Sequence, residues 1–258
     1  FLHELFPDTP VINYFEYYYH PRGSDIDFRP DRPAVEADLL RSRARNAMIL
    51  DDLEYCQAGY TPTEFQKGRF PNAFQPKIRV LHDGVPTDVW HRREVLDRTV
   101  GGHQFDPATR IVTYVSRGLE SMRGFDIFMQ MAKRIYQAYP SVAFIVVGAD
   151  RVAYGGDLKH VQGKSFKEHV LRQDEYDLDR FAFVGQVKPD QLARILSLSD
   201  LHVYLTVPFV LSWSLLDAMA CACTVLASDT APVREVIRHN ENGLLCDFFD
   251  VDGLAARA

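Results

Sequence analysis

Two arginines, two serines and one carboxylate are the side chains here whose types and spacing can do chemistry. Arg117 follows Ser116 and precedes Gly118, and Arg123 comes six residues later, just before Gly124. An apolar run ends at Ser116 and a helical pattern begins at Gly124. Two guanidinium groups and a helix N-terminus therefore converge on one spot. Such a spot suits phosphate oxygens, since the guanidinium fork donates parallel bonds and the helix end adds unpaired N–H groups. The same spacing is also that of two ordinary surface arginines. The second set is Ser212, Ser214 and Asp217, inside the apolar run Ser199 to Asp229. The two serines can cap a helix, leaving the first-turn amides to a phosphate or a sugar hydroxyl. Asp217 stands three residues after Ser214, so it either completes a capping box or accepts bonds from the vicinal hydroxyls of a ribose.

The elements that must position these groups follow from hydrophobic period. Within Ser199 to Asp229 the pattern predicts a strand over Leu201–Leu205, a loop over Thr206–Ser212, a buried helix over Trp213–Cys221 and a strand over Thr224–Ala227. A membrane span is the competing reading. It is disfavoured by Pro208 and Asp217 within the run and by flanking Asp200 and Asp229 in place of Lys or Arg. Upstream, strands are expected at Ile111–Ser116, Val142–Val147 and Phe181–Val184, the last two ending in Gly148 and Gly185. Helices are expected over Gly124–Tyr139, from Ser165 to about Gln173, over Pro189–Ser197 and over Pro232–His239. Near-continuous apolar strands alternating with amphipathic helices imply a doubly wound, Rossmann-like parallel sheet, with its ligand beyond the carboxyl ends of the strands.

Before Pro107 the signals are sparser. Asn13–Tyr19 reads as an aromatic strand, Ala34–Leu53 as a helix with Arg41, Arg43 and Arg45 on a solvated face, and Gly59–Thr61 and Lys77–Leu81 as strands. Thr63 to Gln66 has capping-box spacing. Pro86 to Asp106 shows no period and is the expected linker between lobes.

The totals set limits. The chain has 258 residues, 47% of them hydrophobic, and a formal net charge of -6 with no basic block, so a nucleic-acid groove is not indicated. Cys56, Cys221, Cys223 and Cys246 have no metal spacing and no C-x-x-C pair, which points to a reduced, cytoplasmic compartment. Neither G-x-G-x-x-G, a Walker loop, H-E-x-x-H nor G-x-S-x-G occurs, so hydride-transfer and zinc-hydrolase readings have no support. The first residue is Phe, no signal peptide is visible, and the end looks like a helix cut short, so a fragment of a longer protein is expected.

Several stretches carry a resemblance to a known family: YVSRGLESMRGF at Tyr114–Phe125, FIVVGAD at Phe144–Asp150, FVGQV at Phe183–Val187, and above all PFVLSWSLLDAMACACTVLASDTAPVREVI from Pro208 to Ile237, with ENGLL after it. Together they resemble glycosyltransferase family 4, a retaining nucleotide-sugar family of two Rossmann-like lobes, the GT-B architecture. The branch that makes bacterial exopolysaccharide is most similar. The resemblance is dense from Ile111 to Asp247 and thinner from Asn13 to Asp88. It implies residues 1–80 as the tail of the acceptor lobe and residues 81–258 as the donor lobe. It also implies Arg117 and Arg123, with Gly118, as the binders of the donor diphosphate. Phe183 to Gly185, with Gln186 and Val187, would be the turn that meets the nucleobase. Leu211, Ser212, Trp213 and Ser214 would be the loop whose amides face sugar and phosphates, and Asp217 the ribose contact. No metal and no cofactor is implied. The donor would be a UDP- or GDP-linked sugar. The acceptor would be a glycan or a lipid-linked hydroxyl held by the other lobe, with peripheral contact at the inner membrane face.

Three departures from the family pattern stand out. Phe209 occupies the position of the first motif glutamate, as it does in the exopolysaccharide branch. Asp217 is one methylene shorter than the usual glutamate. Ala222 replaces a usual glycine, which strains the chain if the site needs positive φ. A sugar-nucleotide epimerase and a silent binding partner of an active transferase stay open as alternatives. The chain alone is expected to bind nucleotide and to transfer sugar poorly.

Overall fold

A computed structural model describes residues 2–161 and 163–258. Its contacts divide it into two units: Phe1–Gly84 with Pro208–Val210, and Val85–Val207 with Leu211–Ala258.

The first unit is built from α1 (Leu2–Leu5), β1 (Ile12–Tyr14), α2 (Glu36–Tyr55), β2 (Ala58–Thr61), α3 (Glu64–Arg69) and β3 (Ile78–Val80). Its three strands are parallel, in the order β1-β2-β3. Phe15, Tyr18, Leu53, Cys56, Phe70 and Ile78 form its core. The aromatic strand is shorter than the pattern predicts. It stops at Tyr14 because Tyr17 and Tyr18 are both buried, which a period of two forbids. The backbone of Tyr19 instead bonds twice to the Asn46 side chain, at 2.9 and 2.7 Å. Thr63 caps α3 by accepting from the Gln66 N–H at 3.1 Å. In the same unit, the edge of the Phe209 ring meets Tyr17, with centroids 4.6 Å apart.

The second unit opens with an antiparallel pair, β4 (Thr99–Val100) and β5 (His103–Gln104). It continues with β6 (Arg110–Gly118), α4 (Phe125–Ala138), β7 (Val142–Ala149), α5 (Phe166–Gln173), β8 (Phe181–Gly185), α6 (Pro189–Leu198) and β9 (Leu201–Tyr204). Last come α7 (Trp213–Ala220), β10 (Val225–Ser228), α8 (Ala231–Arg234), β11 (Leu244–Cys246) and α9 (Val251–Arg257). Six parallel strands run in the order β11-β10-β9-β6-β7-β8. From β6 the chain winds out to β8, returns to the far side of β6 as β9, and winds outward again. The reversal between β6 and β9 opens a crevice at their carboxyl ends, the place where sheets of this kind take ligands.

Burial on both faces explains the strand sequences. Residues 111–116 of β6 and 142–148 of β7 are all buried. Helix α4 lays Phe125, Phe128, Met129, Ala132 and Ile135 on the sheet, and the Phe128 ring meets Tyr114 at 4.7 Å. His202 is buried in β9 with its Nδ1 2.9 Å from the Thr113 hydroxyl, and burial holds it neutral, with a pKa lowered to about 3.

Two expectations are corrected. Pro86 to Asp106 is no linker: Val85, Val89, Trp90, Val95, Val100 and Phe105 pack on the core of the second unit, and the Arg93 N–H donates to Ser197 Oγ at 3.0 Å. Its apolar residues lack a period because side-chain and loop bonds, not a ladder, hold the segment. Helix α8 ends at Arg234, not His239. The Asn242 side chain takes the Arg238 N–H and donates to the Val236 carbonyl, at 2.7 and 2.9 Å, and Asn240 turns to φ 64. Among the described residues no helix is long and apolar enough to cross a membrane.

Candidate functional site

The crevice is furnished first by the turn after β6. Beyond Val115 the pairing of β6 with β7 slips out of register, and the chain leaves the sheet at Ser116–Gly118. Gly118 is needed for packing, since a Cβ there would collide with the Arg151 carbonyl oxygen. Arg117 is exposed. A short 3-10 turn, Ser121–Arg123, then leads into α4 and turns Arg123 inward until it is 6% exposed. A buried guanidinium needs a partner for its charge and its N–H groups. Arg123 donates Nη1–H to Thr206 Oγ1 at 2.7 Å, which ties the β6 side of the crevice to the segment after β9. Thr206 is fixed in turn by Ser228, whose Oγ accepts its N–H at 3.0 Å and donates to its carbonyl at 3.1 Å.

The Tyr204 hydroxyl is the joint of the site. It accepts the Ser212 N–H at 2.8 Å, and the charge of Arg123 lies close enough to act on it. Arg123 and the start of α7 thus meet at one phenol. Burial of Tyr204 raises its pKa, and the neighbouring Arg123 works against that rise.

Ser212 is the N-cap residue of α7, yet its side chain makes no cap bond, contrary to expectation. Its hydroxyl lies 3.1 Å from the Ser214 hydroxyl. Asp217 is accordingly not part of a capping box: it sits beyond the first turn, where a carboxylate cannot reach the N-cap amide. It is half-buried, and among the described residues no hydrogen bond or ion pair reaches its carboxylate. Burial alone pushes that carboxyl up to about 7. Leu211 is buried against Tyr204 and Leu215, whereas Trp213 is exposed. At the other end of α7, Ala222 adopts φ 55, with the Cys223 N–H bonding back to the Ala218 carbonyl at 3.0 Å and the Ala222 N–H to the Met219 carbonyl at 2.9 Å. That is a Schellman closure with alanine where glycine is favoured.

Gly185, Gln186 and Val187 stand at the carboxyl end of β8, two strands from β6 along the same edge. Gly185 is left-handed at φ 68 with open space where a side chain would go. Gln186 is exposed, and Val187 leans into the core. The structure therefore brings Arg123 and Ser212 together at Tyr204. Gly185–Val187 and Asp217 are not joined to that network by any side-chain bond among the described residues.

Four residues of the site escape sequence reasoning: Tyr154, Glu120, Tyr204 and Thr206. Arg117 and Arg123 both lie over the Tyr154 ring, 5.7 and 5.5 Å from its centroid. Glu120 is fully buried, and its Oε2 accepts from the backbone of Ala153, Tyr154 and Gly155 at 2.9, 2.9 and 3.1 Å. Burial raises its pKa, while those amides and Arg123 pull it back. Only Tyr204 had a sequence signal: a tyrosine closing a buried strand must find a partner for its hydroxyl. Among the described residues no group of three or more His, Cys, Asp or Glu side chains can hold a metal ion.

Comparison with known proteins bears on this geometry. The pattern of the "Glycosyl transferase family 4 group" matches residues 1–90, and that of "Glycosyl transferases group 1" matches residues 99–258. Among curated proteins, the N-acetyl-alpha-D-glucosaminyl L-malate synthase of Bacillus anthracis is 36% identical over 80 residues, 31% of this chain and 20% of the relative. Spore coat protein SA of Bacillus subtilis is 24% identical over 197 residues, 70% of this chain and 48% of the relative. The chain thus spans less than half the length of either. Among solved structures, Anabaena HepE in complex with UDP and glucose superposes with a TM-score of 0.70 at 16% identity, over 98% of this chain and 62% of that one. Sucrose-phosphate synthase from Thermosynechococcus elongatus gives 0.70 at 19%, over 98% and 59%. The family pattern covers well over half of the sequence, so the chain belongs to the glycosyl transferases group 1, with the GT-B type of α/β fold.

Proposed function

We propose that this chain carries the donor site of a retaining, metal-independent glycosyltransferase. It would move a sugar from a nucleotide diphosphate sugar to an acceptor hydroxyl in polysaccharide synthesis at the cytoplasmic face of a membrane. Residues 1–80 would belong to the acceptor lobe and residues 81–258 to the donor lobe. The observation that carries the reading is the cluster of Arg117 and Arg123 over the Tyr154 ring, with Arg123 beside Tyr204 and Ser212, at the reversal of the parallel sheet. The protein's work in this reaction is electrostatic. Negative charge grows on the diphosphate as the glycosidic bond breaks, and preset donors stabilise that charge without reorganising. Arg117 and Arg123 would meet the diphosphate, aided by Gly118 and by the backbone from Leu211 through Ser214, including Trp213. Gly185, Gln186 and Val187 would meet the base. Asp217, a half-buried carboxylate that no side chain claims, would take the ribose hydroxyls. A UDP-linked donor is favoured by the likeness to a protein solved with UDP.

The test is a thermal-shift screen of UDP, GDP and ADP, and of their sugars, on wild type and on Arg117→Ala. A ligand that binds only the folded chain raises Tm by mass action. The expected result is a shift with one nucleotide family, largely lost in Arg117→Ala. No shift with any of them overturns the reading, and a shift untouched by Arg117→Ala removes that residue from the site. Asp217→Glu should retain or raise turnover in the whole enzyme. A silent partner would show no turnover in either form, and an epimerase would consume donor with no acceptor present.

A further inference from the structure

The loop between β7 and α5 brings one aromatic ring into the crevice. Tyr154 is 40% exposed, and both arginines lie over it, Arg117 also donating to its hydroxyl at 3.3 Å. The loop does not hold this position by itself. Glu120 gathers three consecutive amides, those of Ala153, Tyr154 and Gly155, on a single carboxylate oxygen. Three residues on, Asp157 is buried and accepts both the N–H and the hydroxyl of Ser121, at 2.8 and 2.5 Å. Both anchors, Glu120 and Ser121, lie in the five-residue stretch that separates Arg117 from Arg123. The turn that bears the two cations therefore also fixes the ring beneath them.

We propose that Tyr154 is a positioning residue for the diphosphate-binding arginines, held in place by Glu120. The proposal rests on the nucleotide-diphosphate reading above. The physical reason is one of faces and edges. An aromatic ring engages the face of a guanidinium, whereas phosphate engages its edge, so the two contacts are compatible. Two like charges that must converge on one ligand repel each other before it arrives, and the negative face of the ring offsets that repulsion. Arg117 is exposed, and a free arginine side chain gives up about 2 kcal/mol of rotamer entropy when a ligand immobilises it. A ring that orders it beforehand lowers that cost.

Calorimetric titration of UDP and of GDP into wild type, Tyr154→Ala, Tyr154→Phe, Arg117→Ala and the Tyr154→Ala/Arg117→Ala double variant tests the proposal, with Tm recorded for each. Tyr154→Ala should weaken the bound nucleotide about five- to tenfold, the scale of a partly exposed cation–π contact. Tyr154→Phe keeps the ring but loses the hydrogen bond from Arg117, and should cost clearly less than Tyr154→Ala. In the Arg117→Ala background the alanine at 154 should cost much less, because the ring then has one cation fewer to order. A purely structural ring would move Tm and leave this coupling at zero. Wild-type or tighter binding by Tyr154→Ala overturns the proposal, and so does an equal cost in both backgrounds. If wild type binds neither nucleotide, the proposal falls together with the functional reading. If wild type binds and Arg117→Ala does not, while Tyr154→Ala is unchanged, this proposal alone falls.

Discussion

Two carboxylates of the second unit, Glu120 and Asp217, are treated oppositely by the fold. Glu120, in the turn after β6, is fully buried and has three backbone amides on one oxygen. Asp217, on α7, is only half-buried, and no donor among the described residues reaches it. Burial raises the pKa of both, but only Glu120 has amides that oppose the rise. Glu120 is compensated at Oε2 alone, its Oε1 being buried without a hydrogen-bond partner among the described residues, yet the three amides make it part of the architecture. A carboxylate left with its desolvation uncompensated costs stability, and a fold bears such a cost at sites that a ligand completes.

The contrast can be broken by substitution, and the largest effect is expected at Glu120. Glu120→Ala strips the acceptor from three amides and should cost about 3 kcal/mol of stability, given the price of stranding buried donors. Urea denaturation measures it, and a loss below about 1 kcal/mol would put Glu120 on the same footing as Asp217. At Asp217 the signs should divide. Asp217→Asn should weaken nucleotide binding about tenfold, the scale of one charge-assisted hydrogen bond. Its stability should hold or rise at pH 8. The folded-state pKa of Asp217, about 7, lies above the ordinary aspartate value of 3.8. The folded chain therefore binds the extra proton between these values, and stability conferred by that proton is lost as pH rises through 7. Wild type should lose stability between about pH 4 and 7 relative to Asp217→Asn, and its nucleotide affinity should grow as the carboxylate ionises through about 7. Parallel stability–pH curves for the two proteins would count against it. The smallest change is expected at the far end of the same helix. Ala222→Gly relieves the left-handed alanine at φ 55 and should add about 1 kcal/mol without touching affinity.

The parts of the fold that were legible are those with one dominant cause. Strands β6, β7 and β9 are buried on both faces, and their apolar runs, like that of the half-buried edge strand β8, coincide with the observed bounds to within two residues. Helices α3 and α5 begin at the predicted caps Thr63 and Ser165. The strain at Ala222 was also visible beforehand, from a glycine expected at that position. What could not be read depends on contacts without a period. The segment at Pro86–Asp106 is held by packing and single side-chain bonds, and past the end of the aromatic strand the backbone of Tyr19 bonds to Asn46, 27 residues away. In the site, the spacing of Arg117 and Arg123 could be read, but the ring that gathers them could not. Tyr154 lies 34 residues from Glu120, and nothing in either neighbourhood announces the other.

The reversal of strand order between β6 and β9 also bears on how the molecule is made. Thr113 and His202 face each other across that seam and are 89 residues apart in sequence. Closing so long a loop is slow and comes late in folding. During synthesis the arginine-bearing turn therefore waits for Tyr204 and Ser212 to emerge, and nascent chains ending before them should not retain nucleotide. Ligand capture would then report that the two halves of the sheet have joined.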